Sequence, residues 1–267
     1  MNSIRSRRLK AAVCAAALLV LLPFPGCTTV PVTGRSQFNV ISPGQEMQLG
    51  LSEFDKMKKD VPVSRDPAAN ALLQKVGKRI AAVTGADMPN AQWEFVVFES
   101  KEANAFCLPG GKVGVYTGIL PITRDEAGLA TVIGHEVAHA VARHGGERMT
   151  EALGLQLLGT AVSTASRDSK YAAAIATGYG LGAQLGVALP HSRKQESEAD
   201  EMGLHYMARA GYRPAAAVEF WQRFAAFNGS KGGAQPWFLR THPMDATRIA
   251  DLQRLLPKAE AVYRPAN

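Results

Sequence analysis

His135-Glu136-Val137-Ala138-His139 sits inside the apolar stretch from Leu129 to Val141, and its reading decides the fold. Residues of a helix advance by about 100°, so positions i and i+4 lie about 40° apart and one turn along the axis; both imidazoles then face one point that a zinc ion can occupy. Glu136 is rotated beside them. It cannot share their direction, but it is well placed to accept a proton from an attacking water and return it to a leaving amine. The stretch predicts a buried helix carrying two metal ligands and a base. Thr123 and Glu126, spaced as a capping box after Pro121, would open it, and Gly145-Gly146 after His144 would close it.

Two histidines leave zinc short of a third protein ligand and an open position. The acidic segment Arg193-Lys194-Gln195-Glu196-Ser197-Glu198-Ala199-Asp200-Glu201 is the candidate source. As a helix it puts Glu196 and Asp200 on one face and turns Glu198 about 200° away from Glu196. One of the facing carboxylates would be a ligand and the other an acceptor for a histidine N–H, and spacing alone does not say which. His144 lies about 140° round from His139 and His205 about 180° round from Glu196, so neither is expected as a ligand. His191 reads as structural.

Outward from this centre, apolar residues recur at helical spacing over 46–59 and 67–83. Trp93-Glu94-Phe95-Val96-Val97-Phe98 and Val113-Gly114-Val115-Tyr116-Thr117 read as strands on either side of a Pro109-Gly110-Gly111 turn, and suggest a small antiparallel sheet. The Ala- and Gly-rich segment 152–190 predicts two closely packed helices, with the uncharged run 171–190 too weakly hydrophobic to favour a membrane span. Helical stretches follow at 192–209, 214–228 and 243–256. The fold class is α+β, mainly α.

At 46% hydrophobic and 20% charged the chain can bury a core. Its net charge of +7 does not signal nucleic acid, because more than half of it comes from Arg5, Arg7, Arg8 and Lys10 in an acid-free first 26 residues. Those residues, with the uncharged run from Ala11 to Leu22, have the layout of an export signal. Cys27 directly after it, followed by Thr28, resembles a lipobox cysteine with an outer-membrane sorting pattern, although Phe24 and Pro25 depart from the usual residues. Residues 1–26 would be the signal, 27–45 a lipidated N-terminus and extended arm that drapes over the body, and 46–267 one metallopeptidase domain. Cys107 is left without an intramolecular disulfide partner and reads as a small buried hydrophobe.

His135-Glu136-Val137-Ala138-His139 together with Glu196-Ser197-Glu198-Ala199-Asp200 resembles the HtpX-like and CAAX-prenyl-protease-type family of zinc metallopeptidases, which are gluzincins. Further matches are the stretch from Cys27 to Arg35, Asn104-Ala105-Phe106 with Pro109-Gly110-Gly111, and Thr241-His242-Pro243 followed by Arg248. The resemblance implies a zincin-like fold, one zinc ion, Glu196 as third ligand and Asp200 behind the ligands. It places Asn104, Ala105 and Phe106 on a strand bordering the cleft, where a substrate peptide adds as another strand. It puts His242 near the metal, either stabilising the oxyanion or filling the open coordination position. No tetratricopeptide-like stretch follows residue 256, so the likeness is to the compact form. The function implied is a zinc endopeptidase of the bacterial envelope, an outer-membrane lipoprotein facing the periplasm or else a soluble periplasmic protein. Its partners would be unfolded or misassembled proteins and the outer-membrane assembly machinery, with no nucleic acid. Rival readings are a chaperone-like outer-membrane assembly factor with a structural or inhibited zinc site, and a zinc hydrolase of cell-wall or small amide substrates.

Overall fold

A computed structural model describes residues 27–166, 193–229, 237–243 and 247–265. The short strands β1 (Cys27–Thr29) and β2 (Ser36–Phe38) lead into helices α1 (Pro43–Asp60) and α2 (Pro67–Thr84). Strands β3 (Glu94–Phe98), β4 (Ala105–Leu108) and β5 (Lys112–Tyr116) follow, then α3 (Leu120–Thr123), α4 (Glu126–Val141) and α5 (His144–Ser166). The last described elements are α6 (Arg193–Arg209), α7 (Ala215–Gly229), α8 (Trp237–Thr241) and α9 (Arg248–Glu260). Helix dominates, as expected. The 171–190 run and His191 lie outside the described residues, and no described helix is long and apolar enough to cross a membrane.

Helix α4 is the axis of the molecule. It is buried from Gly128 through His139, which follows from a sequence apolar on every side, and it packs against α6, β4, α2 and α7. Its start differs from the expected capping box. Thr123 ends the short helix α3, and Asp125, in extended conformation, caps α4 by accepting from the Gly128 N–H at 2.8 Å. Its end differs too, because Gly145-Gly146 lie inside α5. The chain turns instead at Arg143, held in the left-handed region at φ 56°. A non-glycine residue there costs about 1 kcal/mol. The Arg143 guanidinium offsets this by bonding Glu46 Oε2 at 2.9 Å and the Ile41 carbonyl at 2.6 Å.

The principal sheet is mixed, with order β3-β5-β4. β4 and β5 form the antiparallel hairpin expected from Pro109-Gly110-Gly111, whose glycines take φ 87° and 82°. β3 runs parallel to β5, against the antiparallel expectation, because the chain crosses to the far edge as β4 before returning between the two. β4 is thus an edge strand lying along α4. Tyr116 N–H bonds the Asn104 carbonyl at 3.0 Å, and ladder alternation then turns the backbone groups of Ala105 and Cys107 to the open edge.

The arm also departs from expectation. Rather than draping, residues 27–38 form an antiparallel hairpin, Val30 is buried in the main core, and Thr33 and Arg35 both bond the buried Glu198 of the helical body.

Candidate metal centre

Two glycines let the ligand-bearing helices meet. A Cβ on Gly134 of α4 would stand 3.0 Å from the Gly203 carbonyl oxygen, and one on Gly203 of α6 would stand 3.0 Å from the His135 nitrogen. Side chains there would hold the helices apart. At this close crossing His135 and His139 of α4 face Glu196 and Asp200 of α6, all four buried.

His135, His139, Glu196 and His242 converge, each offering one ligand atom within 4.8 Å of the others. His135 Nε2 is 3.0 Å from His139 Nε2 and 3.5 Å from Glu196 Oε2, and His139 Nε2 is 3.3 Å from Glu196 Oε1. His242 Nδ1 lies 2.9 Å from Glu196 Oε1 and 3.3 Å from His135 Nε2. A tetrahedron of zinc–ligand bonds near 2.05 Å has edges of about 3.3 Å, so the donors sit at the separations that zinc requires. Three imidazoles and one carboxylate are also the donor chemistry that zinc takes. The residues fit the ion, and the four donors are positioned to hold it.

The electrostatics favour a cation at this point. Burial by itself would push the Glu196 carboxyl up, but bonds from His135, His139 and His242 hold it well below the ordinary carboxylate range. Burial likewise works against a charged His135, and Asp200 with Glu196 outweighs it, raising the imidazole to about 9. His135 Nδ1 lies 3.0 Å from Asp200 Oδ1, placing Asp200 behind the ligand as the resemblance implied. Arg248 spans the two carboxylates, with NH1 3.0 Å from Glu196 Oε2 and NH2 2.7 Å from Asp200 Oδ1. Its guanidinium stacks 3.5 Å from the centre of the Trp221 ring.

Glu136 faces the other way, into a cleft of about 230 Å³ lined by Asn104, Ala105, Phe106, Cys107 and His242. The carboxyl is buried, which pushes it above its ordinary value, and its Oε1 has no hydrogen-bond partner among the described residues. His242 Nε2 is 3.4 Å from that oxygen. Cys107 is partly rather than fully buried, and its thiol is pushed up by burial and then by the Glu136 charge, which disfavours the nucleophilic thiolate.

The predicted site residues are therefore brought together: His135, Glu136, His139, Glu196, Asp200 and His242 share one centre, and Asn104, Ala105 and Phe106 line its cleft. His205 lies outside the donor group. His144 stays outside the donor group, as expected, but sequence reasoning missed its contact with a ligand: its Nδ1 is 2.8 Å from His139 Nδ1. The helical angle that dismissed it does not apply, because the turn at Arg143 puts the residue on a new helix. Glu198 points away from the metal donors, as expected, and toward His144, with its carboxyl depressed to about 2; burial opposes this, and His144, Thr33 and Arg35 bring it about. The alternation Glu196-x-Glu198-x-Asp200 was the one signal that could have flagged it.

A sequence profile of peptidase family M48 matches residues 67–256. The mitochondrial metalloendopeptidase OMA1 of Schizosaccharomyces pombe is 36% identical over 241 residues, covering 86% of this chain and 67% of that protein. OMA1 of Saccharomyces cerevisiae is 30% identical over 269 residues, covering 92% of this chain and 76% of that protein. The β-barrel assembly-enhancing protease of Escherichia coli is 28% identical over 234 residues, covering 84% of this chain and 46% of that protein. Mitochondrial relatives from cattle, Arabidopsis and zebrafish also match, and these overturn the expected placement as a bacterial outer-membrane or periplasmic protein. The physical reason lies in the leader: a basic, Ser-containing, acid-free stretch such as Met1–Lys10 is the composition of more than one kind of targeting segment.

Proposed function

The chain belongs to peptidase family M48 and is a zinc metalloendopeptidase, and on that premise we propose that it cleaves unfolded or misassembled polypeptides, bound as an added strand along the open edge of β4. The observation that carries this reading is the junction of the base with a strand edge that pairs with no other strand among the described residues: Asn104, Ala105 and Phe106 line the same cleft as Glu136 and His242. An edge strand recognises any extended backbone by main-chain hydrogen bonds, which selects for lack of structure rather than for one sequence. Across the Glu46–Arg143 pair lies a second hollow of about 370 Å³ lined by Met47, Met88 and Pro89, room for the flanking residues of an extended chain.

When bound, zinc supplies polarisation of the scissile carbonyl and acidification of the attacking water. His135, His139 and Glu196 would hold it, and Asp200 orients His135. Glu136, desolvated and with one oxygen lacking a partner among the described residues, takes the proton of the attacking water and delivers it to the departing amine. Having His242 Nδ1 within the donor cluster supports a resting arrangement in which this side chain would help to hold the ion.

Wild-type protein and Glu136→Gln, both assayed for zinc content and for cleavage of an unfolded protein and of its folded form, test the reading. The wild type is expected to cleave the unfolded form alone, and the variant to keep its zinc and cleave neither form. Equal cleavage by both proteins would refute Glu136 as base. Strand addition is tested separately by N-methylating alternate backbone nitrogens of a peptide substrate, which should raise KM in one register and leave the other unaffected.

A further inference from the structure

The two ligand histidines of α4 are supported differently, and the second support reaches an unexpected part of the chain. His135 bonds Asp200 directly, and Arg248 pairs with that carboxylate. His139 Nδ1 meets His144 Nδ1 at 2.8 Å, and His144 Nε2 meets Glu198 Oε2 at 2.9 Å. Glu198 then accepts from Arg35 Nε at 2.7 Å and from the Thr33 hydroxyl at 2.5 Å, both on the N-terminal hairpin. Arg35 is fixed in turn by Glu147 on α5, with NH1 2.7 Å from Oε1 and NH2 3.1 Å from Oε2. Burial keeps solvent out of the chain: His144 is 0% exposed and Glu198 6%.

Proton directions in this chain are determined from its outer end. Arg35 and Thr33 only donate to Glu198, so the carboxylate remains an acceptor and His144 must donate from Nε2. A neutral His144 then presents an unprotonated Nδ1, which accepts from His139 Nδ1–H and leaves Nε2 as the unprotonated nitrogen that His139 turns toward the other donors. We propose that Thr33, Arg35, Glu198 and His144 are positioning residues for the metal centre, setting the tautomer and ring orientation of His139, so that the N-terminal hairpin is part of the zinc site. None of them touches substrate. The inference rests on the metal centre described above.

The test measures zinc affinity of the full chain by competition with a chromophoric chelator, alongside the d–d absorption of the cobalt(II)-substituted protein and the melting temperature of the zinc-free protein. Glu198→Gln and His144→Phe should each weaken zinc binding by about 10- to 100-fold and shift the cobalt bands. Arg35→Met should weaken it by about 10-fold, adding little to Glu198→Gln in the double variant, because the two act along one chain. Arg213→Met, which removes only the exposed pair with Glu219, should leave affinity unchanged. Thr33→Val, a near-isosteric loss of one donor, carries the same expectation on a smaller scale, about threefold, should a larger change prevent folding. Wild-type affinity and cobalt spectra in Arg35→Met, Glu198→Gln and Thr33→Val, with only the zinc-free melting temperature lowered, would overturn the proposal and leave the hairpin a packing element. Failure of the metal reading itself would show differently, as a wild type that takes up no zinc.

Discussion

The two faces of the metal centre are built on opposite terms. On the face toward α6 and α9, His135, Glu196, Asp200 and Arg248 are buried and bonded to one another, and Gly134 and Gly203 bring the helix backbones into contact. On the face toward β4, Glu136 Oε1 has no hydrogen-bond partner and the outer edge of the strand pairs with no other strand, both among the described residues. A network in which both carboxylates are paired holds its geometry even with the Arg248 Nε left without a partner among the described residues, whereas a desolvated, underpaired carboxylate has spare proton affinity for a reacting group. The same helix supplies both because successive residues, His135 and Glu136, point about 100° apart.

Substitutions that confuse the two faces test this division. The largest effect is expected at Glu136→Gln, where cleavage should fall by about 10² to 10⁴ while zinc content and melting temperature hold; a marked loss of stability would mean that the cleft face is also structural. Next comes Arg248→Met, which leaves Glu196 and Asp200 facing each other without their guanidinium. Breaking such a buried network costs about 3–5 kcal/mol, read as a lowered denaturation midpoint, with bound zinc expected to recover part of it. Gly203→Val should cost about 1–3 kcal/mol and loosen zinc, since the atoms it meets are backbone atoms of Gly134 and His135 and cannot swing aside. Unchanged zinc affinity there would show that the crossing tolerates separation. The smallest effect belongs to Asp125→Ala, which removes the cap of α4 far from either face; about 1 kcal/mol of stability should go with kcat unchanged.

Much of this was readable from residue spacing. The helices at 46–59 and 67–83 match α1 and α2 because each has one apolar stripe, and Asp66 and Ser42 cap them. The metal pair, the base and the Glu196/Asp200 face follow from helical angles within single helices. What failed did so where two segments meet. Thr123 and Glu126 have capping-box spacing, yet Asp125 lies between them and takes the cap. Gly145-Gly146 look like a stop, yet Arg143 supplies the left-handed turn because Glu46 and Ile41, about a hundred residues earlier, are there to bond it. The 27–45 arm reads as polar and Pro/Gly-punctuated, and only the half-buried Glu147 of α5 and the buried Glu198 of α6 reveal why it folds back and packs.

The sequence by itself determined the helix that carries His135, Glu136 and His139, the acidic helix that answers it, and hence the zinc chemistry, because these depend on angles within one helical turn. Tertiary structure alone decided that His242 reaches the donor cluster, that Arg248 joins two carboxylates, that β3 runs parallel to β5, and that His144 and Glu198 connect His139 to Arg35. Those contacts span up to 163 residues, as between Arg35 and Glu198, and no local periodicity encodes them. They exist because burying the apolar surface of α4 brings distant segments around it. Each buried charge they carry must then find a partner.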